Sequence, residues 1–293
     1  MDGAIVVDKS PDWTSHDVVQ VMRRLARTKK IGHLGTLDPI ATGVLPLLIG
    51  RTTRLARFYT RNEKIYEGVV RFGYSTDTFD RTGAPTSRIL EPTIDPGELE
   101  RTLDKFRGKI LQTPPAVSAK KVQGKRAYQL ARAQVEVSLA PVEVEIHEAT
   151  VLEVSGSVAR LRVHCSGGTY VRALAHDLGE QLGCGAHLAE LRRLRSGDFT
   201  IEQARTIDEL RALAEAGRLE EVLAPAAQLL PDFPEVFVDD TVEGQIRQGR
   251  DFAVSAFRAD PNARYVKAVN REGALVAIGE AKLPRLYHPA IVL

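Results

Sequence analysis

Several large classes of protein are excluded by what this chain has little of. Its 293 residues include two cysteines, Cys165 and Cys184, and no Cys-x-x-Cys pair. A disulfide framework and a zinc-finger ligand set are therefore excluded, and both thiols read as small core residues. No stretch reaches the roughly 18 apolar residues that a membrane-spanning helix needs. The opening MDGAIVVDKSPDW carries no basic run, and its apolar stretch Ala4 to Val7 is too short for a secretory signal. A soluble, cytoplasmic protein is the expectation. Internal repeats and low-complexity tracts are lacking too, which speaks against a solenoid or a disordered chain.

The 43% apolar content suffices for a large core, and the length predicts one large domain plus a smaller one. Forty Lys and Arg against 38 Asp and Glu look balanced, but the signs are segregated along the chain. Residues 18–64 hold ten basic side chains and only two acids, Asp38 and Glu63, and residues 105–132 hold eight basic side chains and no acid. Residues 207–243 hold ten acids and two arginines. A chain patterned this way can turn one basic face to a polyanion such as a nucleic-acid backbone.

Thr14 and Asp17 form the pattern of a capping box, and Val18, Val19, Met22, Leu25 and Ala26 follow at helical spacing, predicting a helix over 16–28. The next segment, IGHLGTLDPIATGVLPLLIG, is too rich in Gly and Pro for a long regular element, with 44–49 apolar enough for a short buried strand. A strand is predicted over 65–72, and a helix capped by Asp95-Pro96 and reaching 106. Segments 142–154 and 158–165 read as a hairpin around Ser155-Gly156-Ser157. Helices are predicted over 170–182, ending at Gly183, and over 187–194. Pro225, Pro231 and Pro234 then break the chain, and short β-type segments follow at 236–238, 265–269 and 274–278, the last two joined by Asn270-Arg271-Glu272-Gly273. A boundary near 231 leaves a β-rich module of about 60 residues, a size that can fold alone.

The string Gly32-His33-Leu34-Gly35-Thr36-Leu37-Asp38-Pro39-Ile40-Ala41-Thr42-Gly43 gathers a carboxylate, an imidazole, two threonine hydroxyls and three glycines. Glycines at this density let backbone approach a ligand closely, and a loop carboxylate held there is preorganised. This string resembles the catalytic motif of the TruB family of tRNA pseudouridine-55 synthases. The likeness continues through Lys64-Ile65-Tyr66, Gly73-Tyr74-Ser75-Thr76-Asp77-Thr78-Phe79-Asp80, Gln112-Thr113-Pro114-Pro115 onward to Arg132, Gly167-Gly168-Thr169-Tyr170-Val171-Arg172, and Leu191-Arg192-Arg193-Leu194. It spans about residues 5 to 200, in order. One departure is visible: where the family has Lys-Pro-x-Gly-x-Thr-Ser, this chain has Lys9-Ser10-Pro11-Asp12-Trp13-Thr14-Ser15. The C-terminal piece, with Gly249-Arg250-Asp251 and 274–280, resembles a PUA domain more weakly.

The resemblance implies a mixed α/β pseudouridine-synthase domain over 1–230, an RNA-clamping insertion at about 105–140, and a small PUA-like β-barrel over 231–293. It implies isomerisation of uridine 55 in the T-loop of tRNA, with contacts to that loop and its stem, by a monomer. Breaking the base–sugar bond, turning the uracil and re-forming a bond from C5 oxidises and hydrolyses nothing, so neither cofactor nor metal is expected. The reaction needs a carboxylate that stays ionised in a dry pocket, where desolvation opposes ionisation unless a cation stands beside it. By resemblance the carboxylate is Asp38 and the cation Arg172. The carboxylate can attack C1′, add to C6 or assist an elimination, and the residue types are compatible with all three.

A target base inside a folded loop must be extruded, and an aromatic face then stacks on it. Tyr66 has that role by resemblance, with Tyr170 and Leu191 lining the pocket. His33 fills the gap left by the flipped nucleotide, and Lys64 serves as a positioning residue or phosphate contact. Asp77 and Asp80 read as loop residues supporting the pocket, not as an acid–base pair. Gly183-x-Gly185 lacks the third glycine of a dinucleotide site. Two competing readings are a tRNA-folding chaperone without catalysis and a hydrolase of the same bond; the retained Asp38, Tyr66 and Arg172 argue against the first, and the lack of a second acid beside Asp38 against the other.

Overall fold

The computed structural model describes residues 1–60, 62–115, 121–122, 125–126, 139–254 and 263–293. Much of the expected clamping insertion, namely 116–120, 123–124 and 127–138, lies outside the described residues.

In chain order the strands are β1 (Gly3–Lys9), β2 (Ile31–His33), β3 (Ala41–Ile49), β4 (Lys64–Phe72), β5 (Gly108–Gln112), β6 (Lys121–Val122), β7 (Lys125–Arg126), β8 (Val142–Ser155) and β9 (Val158–Cys165). They continue with β10 (Ala186–Ser196), β11 (Phe199–Thr200), β12 (Ala224–Pro225), β13 (Glu235–Phe237), β14 (Phe252–Ala253), β15 (Tyr265–Val269), β16 (Leu275–Leu283) and β17 (Leu286–Val292). The α-helices are α1 (Ser15–Leu25), α2 (Pro96–Asp104), α3 (Val171–Gln181), α4 (Ile207–Glu215) and α5 (Asp240–Arg247).

Among the described residues, one sheet runs β12-β1-β3-β10-β4-β9-β8-β5, with β2 and β11 paired at its side, and a second runs β13-β15-β16-β17-β14. In the first sheet β3 and β10 are parallel while their other neighbours are antiparallel, so the expected mixed α/β class holds. Period-2 alternation along β1 divides two cores. Ile5 and Val7 face a core shared with α1, α2, α3 and α4, whereas Ala4 and Val6 face a second core. That second core also takes Leu275, Ile278 and Ile291 of the small sheet, and the ring of Phe58 meets Phe233 and Tyr265 edge-on at 5.2 and 5.1 Å. The small sheet is thus seated on the large one through apolar contact. Leu48 of β3, fully buried in that second core, contributes about 1.5–3 kcal/mol to this arrangement.

Local signals explain most elements. The capping box is formed: Asp17 N–H donates to Thr14 Oγ1 at 3.1 Å and Thr14 N–H to Asp17 Oδ2 at 2.9 Å. Asp95 caps α2 through the Glu98 N–H, with Pro96 first in the helix. The hairpin at 155–157 stands as expected between β8 and β9.

Two expectations are corrected. The strand expected at 44–49 begins at Ala41 and runs through Gly43 and Pro46. Pro46 is tolerated because its carbonyl, accepting from Leu34 N–H at 2.9 Å, shows that its missing N–H faces the side where β2 ends. Gly43 has φ +94°, and a Cβ there would lie 2.2 Å from the Arg193 carbonyl, so the close parallel pairing of β3 with β10 requires glycine.

The helix expected over 187–194 is instead part of β10. Register shifts between Leu188 and Glu190 and between Arg193 and Arg195 interrupt its alternation. Buried Leu188 and Leu191 consequently fall three apart, which imitates a helical repeat.

Candidate active site

A cavity of about 230 Å³ opens where the 35–38 loop, the start of β4, the start of α3 and the middle of β10 converge. Six of the seven residues singled out from the sequence line it: Asp38, Lys64, Tyr66, Tyr170, Arg172 and Leu191. His33 does not; it ends β2 and is half-buried, with its backbone paired to Leu47.

Arg172 is the second residue of α3, and its side chain is almost entirely enclosed. Its Nε lies 3.1 Å from Asp38 Oδ2, and its Nη2 donates to Asp38 Oδ1 at 3.2 Å. Nη2 bonds one carboxylate oxygen while Nε lies close to the other, so the guanidinium orients the carboxylate as well as opposing its charge. Asp38 itself is 36% exposed, and the open part faces the cavity. Burial pushes its carboxyl above the usual carboxylate range; Arg172 opposes the rise and Asp80 adds to it.

Asp80 supports the pocket, as its loop position suggested. Its Oδ1 accepts from Thr78 Oγ1, Thr82 N–H and Thr82 Oγ1, and its Oδ2 lies 3.9 Å from Arg172 Nη1. Arg172 is therefore held from both sides by carboxylates. Asp77 serves the same loop by accepting from Ala84 N–H.

Tyr66 and Lys64 project from alternate positions of β4 into the cavity. Lys64 is 9% exposed, lines the pocket and donates to the Asn62 carbonyl. Burial brings its ammonium pKa down to about 8. Tyr170 immediately precedes α3, with its ring 5.8 Å from the Arg172 guanidinium carbon. Leu191 sits on β10 between Ala41 of β3 and Gly68 of β4.

Four residues that build the site were not assigned a role from the sequence. Lys9, 0% exposed, donates from Nζ to the carbonyls of Trp13, Ser10 and Pro39 at 2.6, 2.9 and 3.2 Å. Ser15 Oγ accepts from Leu37 N–H at 2.8 Å and donates to the Leu37 carbonyl at 3.1 Å. The two neighbours of Asp38 are thus each tied to the first motif.

Arg193, 1% exposed, donates to the carbonyls of Val44 at 2.7 Å and Gly35 at 3.1 Å, threading the loop from beneath. Gln112, at the end of β5, grips Tyr170 at both backbone groups, accepting from its N–H at 2.8 Å and donating to its carbonyl at 3.0 Å. Lys9, Ser15, Arg193 and Gln112 all stood inside recognised motifs; their buried backbone partners were invisible until the chain folded.

The departure in the first motif also acquires a physical meaning. Asp12, standing where the family has glycine, has φ +64°, and its N–H donates to the Pro39 carbonyl at 2.9 Å. The turn keeps the left-handed geometry that glycine adopts freely, with one of the few side chains that tolerate it. Away from the cavity, Arg23, Arg24, Arg27 and Lys29 line one basic depression at the end of α1.

A family model described as TruB family pseudouridylate synthase (N terminal domain) matches residues 23–171, and one described as tRNA pseudouridylate synthase B C-terminal domain matches 172–231. The chain is 62% identical over 293 residues to the tRNA pseudouridine synthase B of Solibacter usitatus, covering all of both chains. It is 47% identical over 233 residues to that of Thermobifida fusca, covering 77% of this chain and 80% of the relative. Among solved structures, a Cbf5-Nop10-Gar1 complex contains a similar chain with TM-score 0.72 and 27% identity, over 97% of this chain and 79% of that one. An H/ACA RNP bound to a substrate RNA containing 2'-deoxyuridine contains another, with TM-score 0.69 and 26% identity, over 96% and 78%. The mixed sheet followed by a small PUA-like half-barrel agrees with these folds. With identity this high over its entire length, the chain belongs to the TruB family of pseudouridylate synthases.

Proposed function

We propose that this chain converts uridine 55 in the T-loop of tRNA to pseudouridine, with the Asp38 carboxylate initiating the isomerisation. The observation that carries this reading is the Arg172 fork on Asp38 at the mouth of a cavity whose walls include Tyr66. A flipped uracil between Tyr66 and Leu191 would bring its glycosidic bond toward the Asp38 carboxylate, which faces the cavity. Arg172 then keeps that carboxylate anionic despite burial and aims its oxygens.

Lys64 and Tyr170 complete the walls of this pocket, and His33, on the strand leading into the loop, meets the RNA outside it. Residues 1–230 act as the catalytic unit and 231–293 as a PUA-like module gripping the same tRNA. The separate sheets spanning Gly3–Pro225 and Glu235–Val292 support that division. The names of the relatives support tRNA as substrate and, being bacterial enzymes of tRNA, a cytoplasmic setting.

The test is tritium release from unmodified tRNA labelled at uridine C5, comparing wild type, Asp38→Asn and a tRNA with cytidine at position 55. Stoichiometric release by wild type only, lost with the cytidine tRNA, is the expected result. Release of free uracil, or release that persists in Asp38→Asn or with the cytidine tRNA, overturns the reading.

A further inference from the structure

Away from the pocket, the described residues bring together a set of side chains that the isomerisation does not use. The ligating atoms of Glu63, His147 and His164 all lie within 4.8 Å of one another. His164 Nε2 is 2.9 Å from Glu63 Oε2, and His147 Nε2 is 3.4 Å from Glu63 Oε1. The two imidazole rings stand 4.9 Å apart, centroid to centroid.

The backbone explains the gathering. Where β8 pairs with β9, Ile146 is opposite Cys165 and Glu148 opposite His164, so His147 is the additional residue of a bulge. A bulge re-aims the side chain it carries, and here it directs His147 toward His164. Cys165 belongs to the helix-side core, so His164, one step along the strand, faces the other way. Glu63 joins it there, one residue before the strand whose first side chain, Lys64, enters the pocket.

We propose that Glu63, His147 and His164 form a site for a divalent transition-metal ion of the Zn2+ type, on the sheet face opposite the pocket. Two imidazoles and one carboxylate are a donor set matched to zinc, with water completing the tetrahedron. Bonds of about 2.0–2.2 Å set tetrahedral ligand atoms roughly 3.3–3.6 Å apart. His164 and His147 approach different oxygens of the Glu63 carboxylate, at 2.9 and 3.4 Å, and the three ligating atoms all lie within 4.8 Å of one another, so side-chain rotation gathers one oxygen and two nitrogens around an ion in place of the Glu63–His164 hydrogen bond.

A fourth residue fits the usual outer arrangement. Glu145 Oε1 lies 3.8 Å from Nδ1 of His147, the nitrogen not facing Glu63, so a small side-chain rotation places a carboxylate where it orients a metal-bound imidazole. The bound ion ties β4, β8 and β9 together at the end from which Lys64 enters the cavity and from which β9 leads on to Tyr170.

The test is a titration of the full-length, metal-free protein with Zn2+ by calorimetry and with Co2+ by visible absorption. One ion per chain is expected, with Co2+ developing the visible bands of a four-coordinate nitrogen–oxygen site. Zn2+ should raise the melting temperature of wild type and leave that of a His147→Ala, His164→Ala double variant unmoved. Either single variant should weaken binding at least tenfold, since even outer partners of a metal cost about 10–100-fold. An affinity within twofold of wild type in the double variant, binding abolished by the control His288→Ala, or no stoichiometric binding by wild type overturns the site. The metal-free double variant is expected to melt with wild type and to release tritium from tRNA at the wild-type rate, so failure of this proposal leaves the isomerase reading standing.

Discussion

The pocket and the C-terminal sheet treat charge in opposite ways. Around Asp38, five charged side chains are buried: Lys9, Lys64, Asp80, Arg172 and Arg193. Their partners are largely backbone carbonyls and one another. Among the described residues of the small sheet and α5, Lys267 is the buried exception, held by Glu235 and the Ala227 carbonyl. The remaining pairs there, such as Arg247–Glu243 and Arg264–Glu280, lie at the surface. Burying a charge costs stability unless it is paired, so a concentration of buried charge marks where the fold is held for chemistry. Exposed pairs serve solubility and contribute little else.

Substitutions can break or sharpen that contrast. The largest effect is expected from Asp38→Asn, which should reduce tritium release by about 10⁴-fold or more, as removal of a reacting group does. Its melting temperature near neutral pH should nevertheless be no lower than wild type. A carboxyl whose folded pKa is raised binds its proton more tightly in the native state, so ionisation costs stability above the ordinary value, and stability grows as pH falls through the raised value. The same shift places the acid limb of the pH–rate profile above the ordinary carboxylate range. A limb at or below 3.8, where an unperturbed Asp titrates, would contradict the burial of Asp38.

Next in size, Arg172→Lys should lose about 10²-fold or more in rate, because a point charge cannot hold both carboxylate oxygens. Arg193→Met preserves apolar bulk while orphaning the carbonyls of Val44 and Gly35. About 2–4 kcal/mol of stability should go with it, read by denaturant unfolding, together with activity as the Asp38 loop loosens. Smaller and of opposite sign, Asp12→Gly should stabilise by up to about 1 kcal/mol by relieving left-handed backbone, as a shift in the denaturation midpoint. At the other pole, Asp240→Asn weakens a fully solvated pair with Arg271 and should cost no more than about 0.5 kcal/mol. A loss there as large as that of Arg193→Met would erase the distinction between the two regions.

By itself the sequence determined whatever depends on neighbours in the chain. The Thr14–Asp17 box, the Asp95-Pro96 helix start and the Ser155–Ser157 hairpin are written in a few adjacent residues, and so is the motif that marked Asp38. Only the tertiary structure decided that 187–194 is a strand, because two bulges shift its phase and its identity comes from lying between β3 and β4. Only the fold, too, brought Lys9, Ser15, Arg193 and Gln112 to the backbone of the pocket. A side chain's donors can be read from its letter, but the carbonyl it reaches depends on chain paths that meet only after the apolar faces of distant strands have been buried together.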